Sequence, residues 1–256
     1  MVIINKRQED ILKELDKKGH VNVADLCEIL NVSTVTIRKD LNFLENEKLL
    51  HRTHGGASKQ PIYAFEKNIS DKEGLQVEQK KQIAQEALKY INNFDYIILG
   101  SGSNIHYLSQ IISGFQKLTV ITPSLKVSME LSNEANVDTI QLGGDIRKSS
   151  NSVVGPISES ILNQFSCNKL FLGADGLHLD FGLSTSNALE AHLNQAMISV
   201  SEKVIVLVDS TKMNIRGFGK ICNLDMIDVL ITDDGIDAET KMKLEEIGIE
   251  VIVARK

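Results

Sequence analysis

From Val77 onward the sequence alternates short runs rich in valine and isoleucine with helical stretches, and that alternation limits the fold more than any other feature. Seven strand-length runs occupy 95–99, 118–122, 137–142, 169–173, 203–208, 227–232 and 249–253; helices are expected near 78–93, 104–113, 124–133, 156–165, 187–200 and 238–246. Strands separated by helices pair through crossovers rather than hairpins. The pattern therefore predicts an α/β unit with a parallel or mostly parallel sheet covered on both faces. A chain of 256 residues with 42% hydrophobic content can bury such a core and still carry a small second domain. The longest apolar runs, such as "YIILG" and "VIVLV", fall far short of the roughly 20 residues that cross a bilayer, so no membrane segment is expected. "MVIINKRQED" turns polar and charged after its first four residues, without a signal-peptide apolar core, and this leads to the expectation of a cytoplasmic protein.

The first sixty residues follow another pattern. Ile4, Ile11, Leu12 and Leu15 recur at helical spacing and Gly19 stops them. "VADLCEIL" reads as a second short helix with Leu26, Ile29 and Leu30 on one face. After a tight turn at Asn31 and Val32, a third helix is expected from about Thr34 to Glu47, with Ser33 as its cap because the hydroxyl accepts an orphan backbone N–H. Its inward face is Ile37, Leu41 and Leu44. Two helices joined by so short a turn make a helix-turn-helix. "LLHRTHGGA" then alternates and closes on a glycine pair, as a small hairpin or wing does. Residues 59–76 lack periodicity and read as a linker, giving domains at 1–58 and 77–256.

The net charge of −6 conceals an asymmetry, for residues 1–60 carry +1 and the remainder −7. With Ile37, Leu41 and Leu44 turned inward, Thr34, Val35, Arg38, Lys39 and Asn42 fall on the outward arc. That arc suits a major groove, where Arg bonds guanine bidentately, a Thr methyl or Val meets thymine, and hydroxyls and Lys hold phosphates. A solvated Arg–Lys pair on an ordinary amphipathic helix has the same periodicity. What separates the two is the whole stretch from Arg7 to Ala57, which closely resembles the DNA-binding domain of the DeoR family of bacterial transcriptional regulators. Its central "VSTVTIRKDL" and trailing "HGGA" carry the resemblance. It implies double-stranded operator DNA as the partner, read by Ser33, Thr34, Val35, Thr36, Arg38 and Lys39, with Arg52 and His54 of the wing beside phosphates. Two positions depart from the family. Lys39 stands where a second Arg is usual, which keeps charge but loses the guanidinium fork, and "ENEKLL" lacks the glycine common before the wing.

In the second domain, "IILGSGSNIHYL" sets Gly100, Ser101, Gly102, Ser103 and Asn104 between a strand and a helix, where backbone N–H groups can approach an anion. Such a loop also serves as a plain strand-to-helix turn. Polar and glycine residues recur at other strand ends, in "ITPSL", "QLGGD", "LGADG" and "VDSTK", and ligands of parallel sheets bind beyond the carboxyl ends of strands. Lys212 offers a point charge for a phosphate and Asp175 an acceptor for sugar hydroxyls. In this order the segments resemble the effector-binding domain of the DeoR family, whose Rossmann-like fold is shared with ribose-5-phosphate isomerase and the CoA-transferases. The resemblance implies a phosphorylated sugar effector and a pocket of Ser101, Gly102, Ser103, Asn104, Ser124, Gly143, Gly144, Asp175 and Lys212. Many family members have Asp where Gly100 stands. "GLSTSNALEAHLNQAMI" looks most like regulators of amino-sugar operons.

By resemblance, then, the chain is expected to be a repressor of a sugar or amino-sugar catabolic operon, released from its operator by the effector. Repeated half-sites imply a homodimer or homotetramer. The alternative is a sugar-phosphate isomerase-like enzyme with a fused DNA-binding domain, because fold does not fix function. An isomerase needs a carboxylate base beside groups that stabilise an enediolate. Glu190 is a candidate, but the "GADG" segment, which resembles the isomerase segment that carries catalytic acids, has Gly176 in the place of an acidic residue, so no complete acid–base set is found and no catalysis is expected. Neither a cofactor nor a metal is expected: His51, His54, His106, His178 and His192 form no ligand motif, and Cys27, Cys167 and Cys222 are scattered singly.

Overall fold

The computed structural model describes residues 4–53, 55–58 and 68–255. The chain forms two compact units, one up to residue 63 and one from residue 64.

In the first unit, α1 (Lys6–Lys18) starts at a reciprocal cap in which Asn5 accepts from the Gln8 N–H and Gln8 accepts from the Asn5 N–H. It stops at Gly19, whose φ of 71° lets its N–H return to the Leu15 carbonyl. β1 (His20–Asn22) leads into α2 (Val23–Leu30). Asn31 then takes a left-handed conformation, a turn that Asn tolerates better than most residues. Ser33 caps α3 (Thr34–Asn46) as expected, accepting from the Thr36 N–H. β2 (His51–Arg52) and β3 (Gly56–Ser58) form the expected hairpin, and β1 completes a sheet of order β1-β3-β2. β1 leaves no signal in the sequence, since three residues show no alternation. Its presence explains Gly56: a Cβ there would lie 1.8 Å from the Val21 carbonyl oxygen. Ile11, Leu15, Leu26, Ile37, Leu41 and Leu44 are buried together. Ile29 departs from expectation: it is exposed, because α2 packs through Val23 and Leu26 instead.

The second unit begins with α4 (Ile69–Glu73) and α5 (Val77–Leu88), followed by β4 (Tyr96–Leu99), α6 (Ser103–Ser109), β5 (Leu118–Thr122), α7 (Leu125–Leu131) and β6 (Val137–Gln141). A hairpin, β7 (Asp145–Arg147) and β8 (Ser152–Val154), precedes α8 (Pro156–Leu162) and β9 (Cys167–Leu172). Next come β10 (Gly176–His178), β11 (Gly182–Thr185), α9 (Ala188–Ser199), β12 (Ser201–Leu207), β13 (Gly219–Cys222), β14 (Val229–Asp233), α10 (Ala238–Glu246) and β15 (Glu250–Ala254). All seven expected strands pair in parallel, in the order β15-β14-β12-β9-β4-β5-β6. Buried clusters lie on both faces, one around Leu170, Leu172 and Val206 and the other around Ile97, Leu99 and Phe171. The alternation of these side chains follows from the period of two along a strand.

Three features were not expected. The small antiparallel sheet β10-β11-β13 and the β7–β8 hairpin use strands of three or four residues, too short for a pattern. The third corrects the linker. Residues 59–67 lie outside the described residues, but from Asn68 the chain is part of the second unit: Ile69 is buried and Lys72 pairs with Asp175. No helix is long and apolar enough to cross a membrane among the described residues.

Candidate functional site

On α3 the inward residues Ile37, Leu41 and Leu44 are fully buried, and Asp40 beside them receives Arg7 through Nε (2.5 Å) and Nη2 (3.2 Å) and Gln8 through Nε2 (3.2 Å). This anchors the middle of the helix to α1 and leaves Ser33, Thr34, Val35, Arg38, Lys39 and Asn42 exposed. Neither the Arg38 nor the Lys39 side chain makes a hydrogen bond or ion pair among the described residues. Thr36 is half-buried, its hydroxyl 3.0 Å from that of Ser33. Arg52 is turned to an internal role, in which its Nε donates to the Gly56 carbonyl (3.2 Å) and its Nη1 to the Arg38 carbonyl (3.3 Å) and Asn42 Oδ1 (2.5 Å). These bonds tie the wing to α3. His54 lies outside the described residues. Before the wing, where "ENEKLL" has no glycine, Lys48 adopts φ 59°.

In the second unit, β12, β9, β4, β5 and β6 lie side by side, and the loops after them carry Lys212, Asp175, Ser101–Asn104, Ser124 and Gly143–Gly144. The chain leaves β4 toward β5 on one side and leaves β9 toward β12 on the other. A crevice outside the strand ends is therefore expected between β4 and β9. There Ser101 Oγ donates to Glu190 Oε1 (3.2 Å) and Arg147 Nη1 donates to Glu190 Oε2 (2.7 Å). Asp175 accepts from Lys72 Nζ (2.6 Å), Thr185 Oγ1 (3.2 Å), the Ser186 N–H (3.0 Å) and Ser186 Oγ (2.8 Å).

The two buried carboxyls titrate apart. Burial alone would raise Asp175, but the charge and hydrogen bond of Lys72, with the Ser186 bonds, hold it at about 2. Glu190 is pushed up by burial and by the charge of Asp175, against the opposing pull of Arg147, Lys72 and Ser101. Nearby, the buried Lys80 amine donates to the Lys72 and Leu75 carbonyls. Burial lowers its pKa, and Lys212 and Lys72 lower it further while Asp209 and Glu73 oppose them. The Lys212 side chain makes no hydrogen bond or ion pair among the described residues, so its ammonium remains without a partner there. Asn104 Oδ1 is buried without a partner, and the first-turn N–H groups of α6 have none within the helix.

Not every expected pocket residue sits alike. Ser101, Asp175 and Lys212 come together with Lys72, Lys80, Arg147 and Glu190. Ser124 caps α7 through the Val127 N–H. Gly143 accepts from Ser158 Oγ (2.5 Å), and a Cβ on Gly144 would meet Ser158 Oγ at 2.5 Å, so this pair shapes the turn packed on α8. Gly102 has φ 116° with open space where a Cβ would be, and is required by its backbone rather than by crowding. Among the described residues no three His, Cys, Asp or Glu side chains are grouped to hold a metal.

Residues 7–60 match the DeoR-like helix-turn-helix domain and residues 75–234 the DeoR C terminal sensor domain. The chain belongs to the DeoR family. It is a DNA-binding transcriptional regulator by that membership. Relatives of this DeoR-family chain include the uncharacterized HTH-type transcriptional regulator YulB of Bacillus subtilis, 36% identical over 98% of this chain and 96% of the relative. A putative aga operon transcriptional repressor of Escherichia coli O157:H7 is 35% identical over 97% of this chain and 93% of its own. Among solved structures, D-ribose-5-phosphate isomerase in complex with phospho-erythronic acid aligns with 54% of each chain at 19% identity and a TM-score of 0.41.

Lys72, Lys80, Arg147, Thr185 and Ser186, which the structure brings beside Asp175 and Glu190 or, for Lys80, beside Lys72, were not singled out from the sequence. Lys72 sits in the stretch read as a linker and Arg147 on an unrecognised hairpin. Only Glu190 had a signal, as the possible base of the enzyme alternative.

Proposed function

We propose that this DeoR-family regulator represses a sugar or amino-sugar catabolic operon, and that a phosphorylated sugar bound in the C-terminal unit releases it from double-stranded operator DNA. The observation that carries the reading is the group of cations at the β4/β9 crevice. Lys212 has no partner among the described residues, Lys80 is buried beside it, and Ser101–Asn104 present a Gly/Ser turn with a positive-φ glycine. A dianionic phosphate supplies the charge that this group lacks, and Asn104 Oδ1 is an acceptor for a sugar hydroxyl. The 35% identity to a putative aga operon repressor over nearly the whole chain supports repression.

DNA is read by Thr34, Val35 and Arg38 on the exposed face of α3, with Ser33, Thr36 and Lys39 beside phosphates. Arg52 acts by holding the wing against α3, and His54 is assigned to a phosphate. The protein works in the cytoplasm as a homodimer or homotetramer, its symmetry matched to repeated half-sites.

The ligand is bound and not turned over. Glu190 is held in an ion pair with Arg147 at 2.7 Å, and Gly176 stands where the resembled isomerase segment carries an acid, so the site lacks a complete acid–base set. The test is an anisotropy titration of DNA from upstream of the gene, at fixed salt, with a panel of sugar phosphates added and NMR run on the same mixtures. Release without chemical change is the expected result. DNA binding indifferent to the whole panel would remove the effector reading, and turnover would favour the isomerase alternative.

A further inference from the structure

A segment outside the strand pattern is tied into the pocket at several points. α4 is five residues long, too short to hold itself, since helix nucleation is unfavourable and few bonds follow it. Its partners set its place. The Ile69 N–H donates to the Ser149 carbonyl (2.7 Å), in the turn of the hairpin that carries Arg147. Lys72 reaches Asp175 at 2.6 Å. The Glu73 carboxylate receives Lys126 Nζ (2.7 and 2.6 Å) and lies 2.8 Å from His106 Nδ1. Tyr107 Oη donates to the Glu73 carbonyl at 3.2 Å. His106 and Tyr107 belong to α6, the helix that follows the Ser101–Asn104 turn, so each attachment of α4 is to an element that also builds the pocket.

Of these attachments, the Lys72–Asp175 pair lies nearest the ligand groups. Lys72 acts on Glu190 as well as on Asp175, and its side chain retains 23% exposure. It also crowds Lys80, which in turn feels Lys212. An anion placed beside Lys212 and Lys80 therefore competes with Asp175 for the Lys72 ammonium. Along the chain, α4 follows directly on residues 59–67, which lead from the DNA-binding unit.

We propose that α4 is a strap that reports occupancy of the pocket: Lys72 shifts from Asp175 to the anionic group of the effector, and the strap, loosened at Lys72 though still held at Ile69 and Glu73, weakens operator binding. The proposal rests on the effector reading above and deepens it, by naming the residue that turns binding into release. On this proposal Lys72 is a positioning residue that trades Asp175 for the effector, and that trade is the difference in affinity between two states without which a ligand shifts nothing.

The test uses the full chain, DNA from upstream of its gene, and glucosamine-6-phosphate and inorganic phosphate as probes. Without any probe, Lys72→Ala should bind DNA about tenfold more weakly than the parent, with Lys72→Arg recovering most of the loss. Adding glucosamine-6-phosphate should weaken the parent but not Lys72→Ala further. Parental affinity together with parental release in Lys72→Ala overturns the proposal. If neither probe moves the melting temperature of the parent, the effector reading fails for this ligand class; the tenfold loss in Lys72→Ala would then still support the strap, and its absence would sink both. Hydrogen exchange of the parent covers the case of a variant that does not fold. Saturating probe should speed exchange across 68–76 while β4 and β9 stay protected, and unchanged exchange there overturns the strap.

Discussion

On α3, Arg38 and Lys39 stand in solvent without a partner among the described residues, whereas in the second unit Lys72, Lys126 and Arg147 are each bonded to a carboxylate. The exposed pair keeps its hydration and its freedom; on the reading proposed above, Lys39 contributes through counterion release, which salt weakens, and Arg38 through a base edge. Lys72, Lys126 and Arg147 are partly dehydrated and held in place by internal partners. An anion that engages one of them competes with a carboxylate, whereas one that engages Lys212 does not. The exposed arrangement favours affinity, and the paired one favours response.

The sharpest way to break this contrast is to leave a pocket charge alone. Arg147→Ala leaves Glu190 beside Asp175 without its ion-pair partner, and should cost the C-terminal unit about 3–5 kcal/mol, read as a lower urea midpoint for that unit with DNA-unit unfolding unchanged. Acid should expose the Asp175 pair. Its carboxyl titrates at about 2 in the folded chain against an ordinary 3.8, so its stabilisation is complete above the ordinary value and is lost as pH falls through the folded one. The loss should amount to roughly 2 kcal/mol between about pH 4 and pH 2, and Lys72→Met should abolish most of that slope in pH-dependent denaturation. On the exposed side, Arg38→Ala should leave thermal stability unchanged and weaken operator binding by about 1–3 kcal/mol, with relaxed discrimination at one base position in anisotropy titrations. The smallest effect belongs to Lys48, whose left-handed backbone suits glycine: Lys48→Gly should raise the stability of the first unit by about 0.5–1 kcal/mol.

What was legible in the sequence follows the same division. α2 and α3 were readable because their signals are local: apolar spacing, Asn31 at the turn, Ser33 at the cap. The inner strands of the parallel sheet were readable because a strand buried on both faces is a continuous apolar run, whereas the edge strand β6, with no buried residue, was readable from its place in the alternation. The pocket was readable only as a set of strand ends. Ser101, Asp175 and Lys212 follow strands and could be singled out from the sequence, but Lys72 acts across 103 residues of chain to reach Asp175, and Arg147 across 43 to reach Glu190. Nothing in the spacing of either residue announces its partner. α4 carries no apolar period beyond Ile69, so its neighbours alone distinguish it from a linker.

Arg52 has a further consequence for the DNA. One guanidinium bonds the wing at Gly56 and the helix at Arg38 and Asn42, so wing and helix cannot change their separation without breaking it. The distance between these two parts is thus a constant of the protein. A duplex that meets both must bring its own groove width to that value, and sequences that narrow or widen easily will do so at the lower deformation cost. Part of the operator preference would then come from base pairs that no side chain touches.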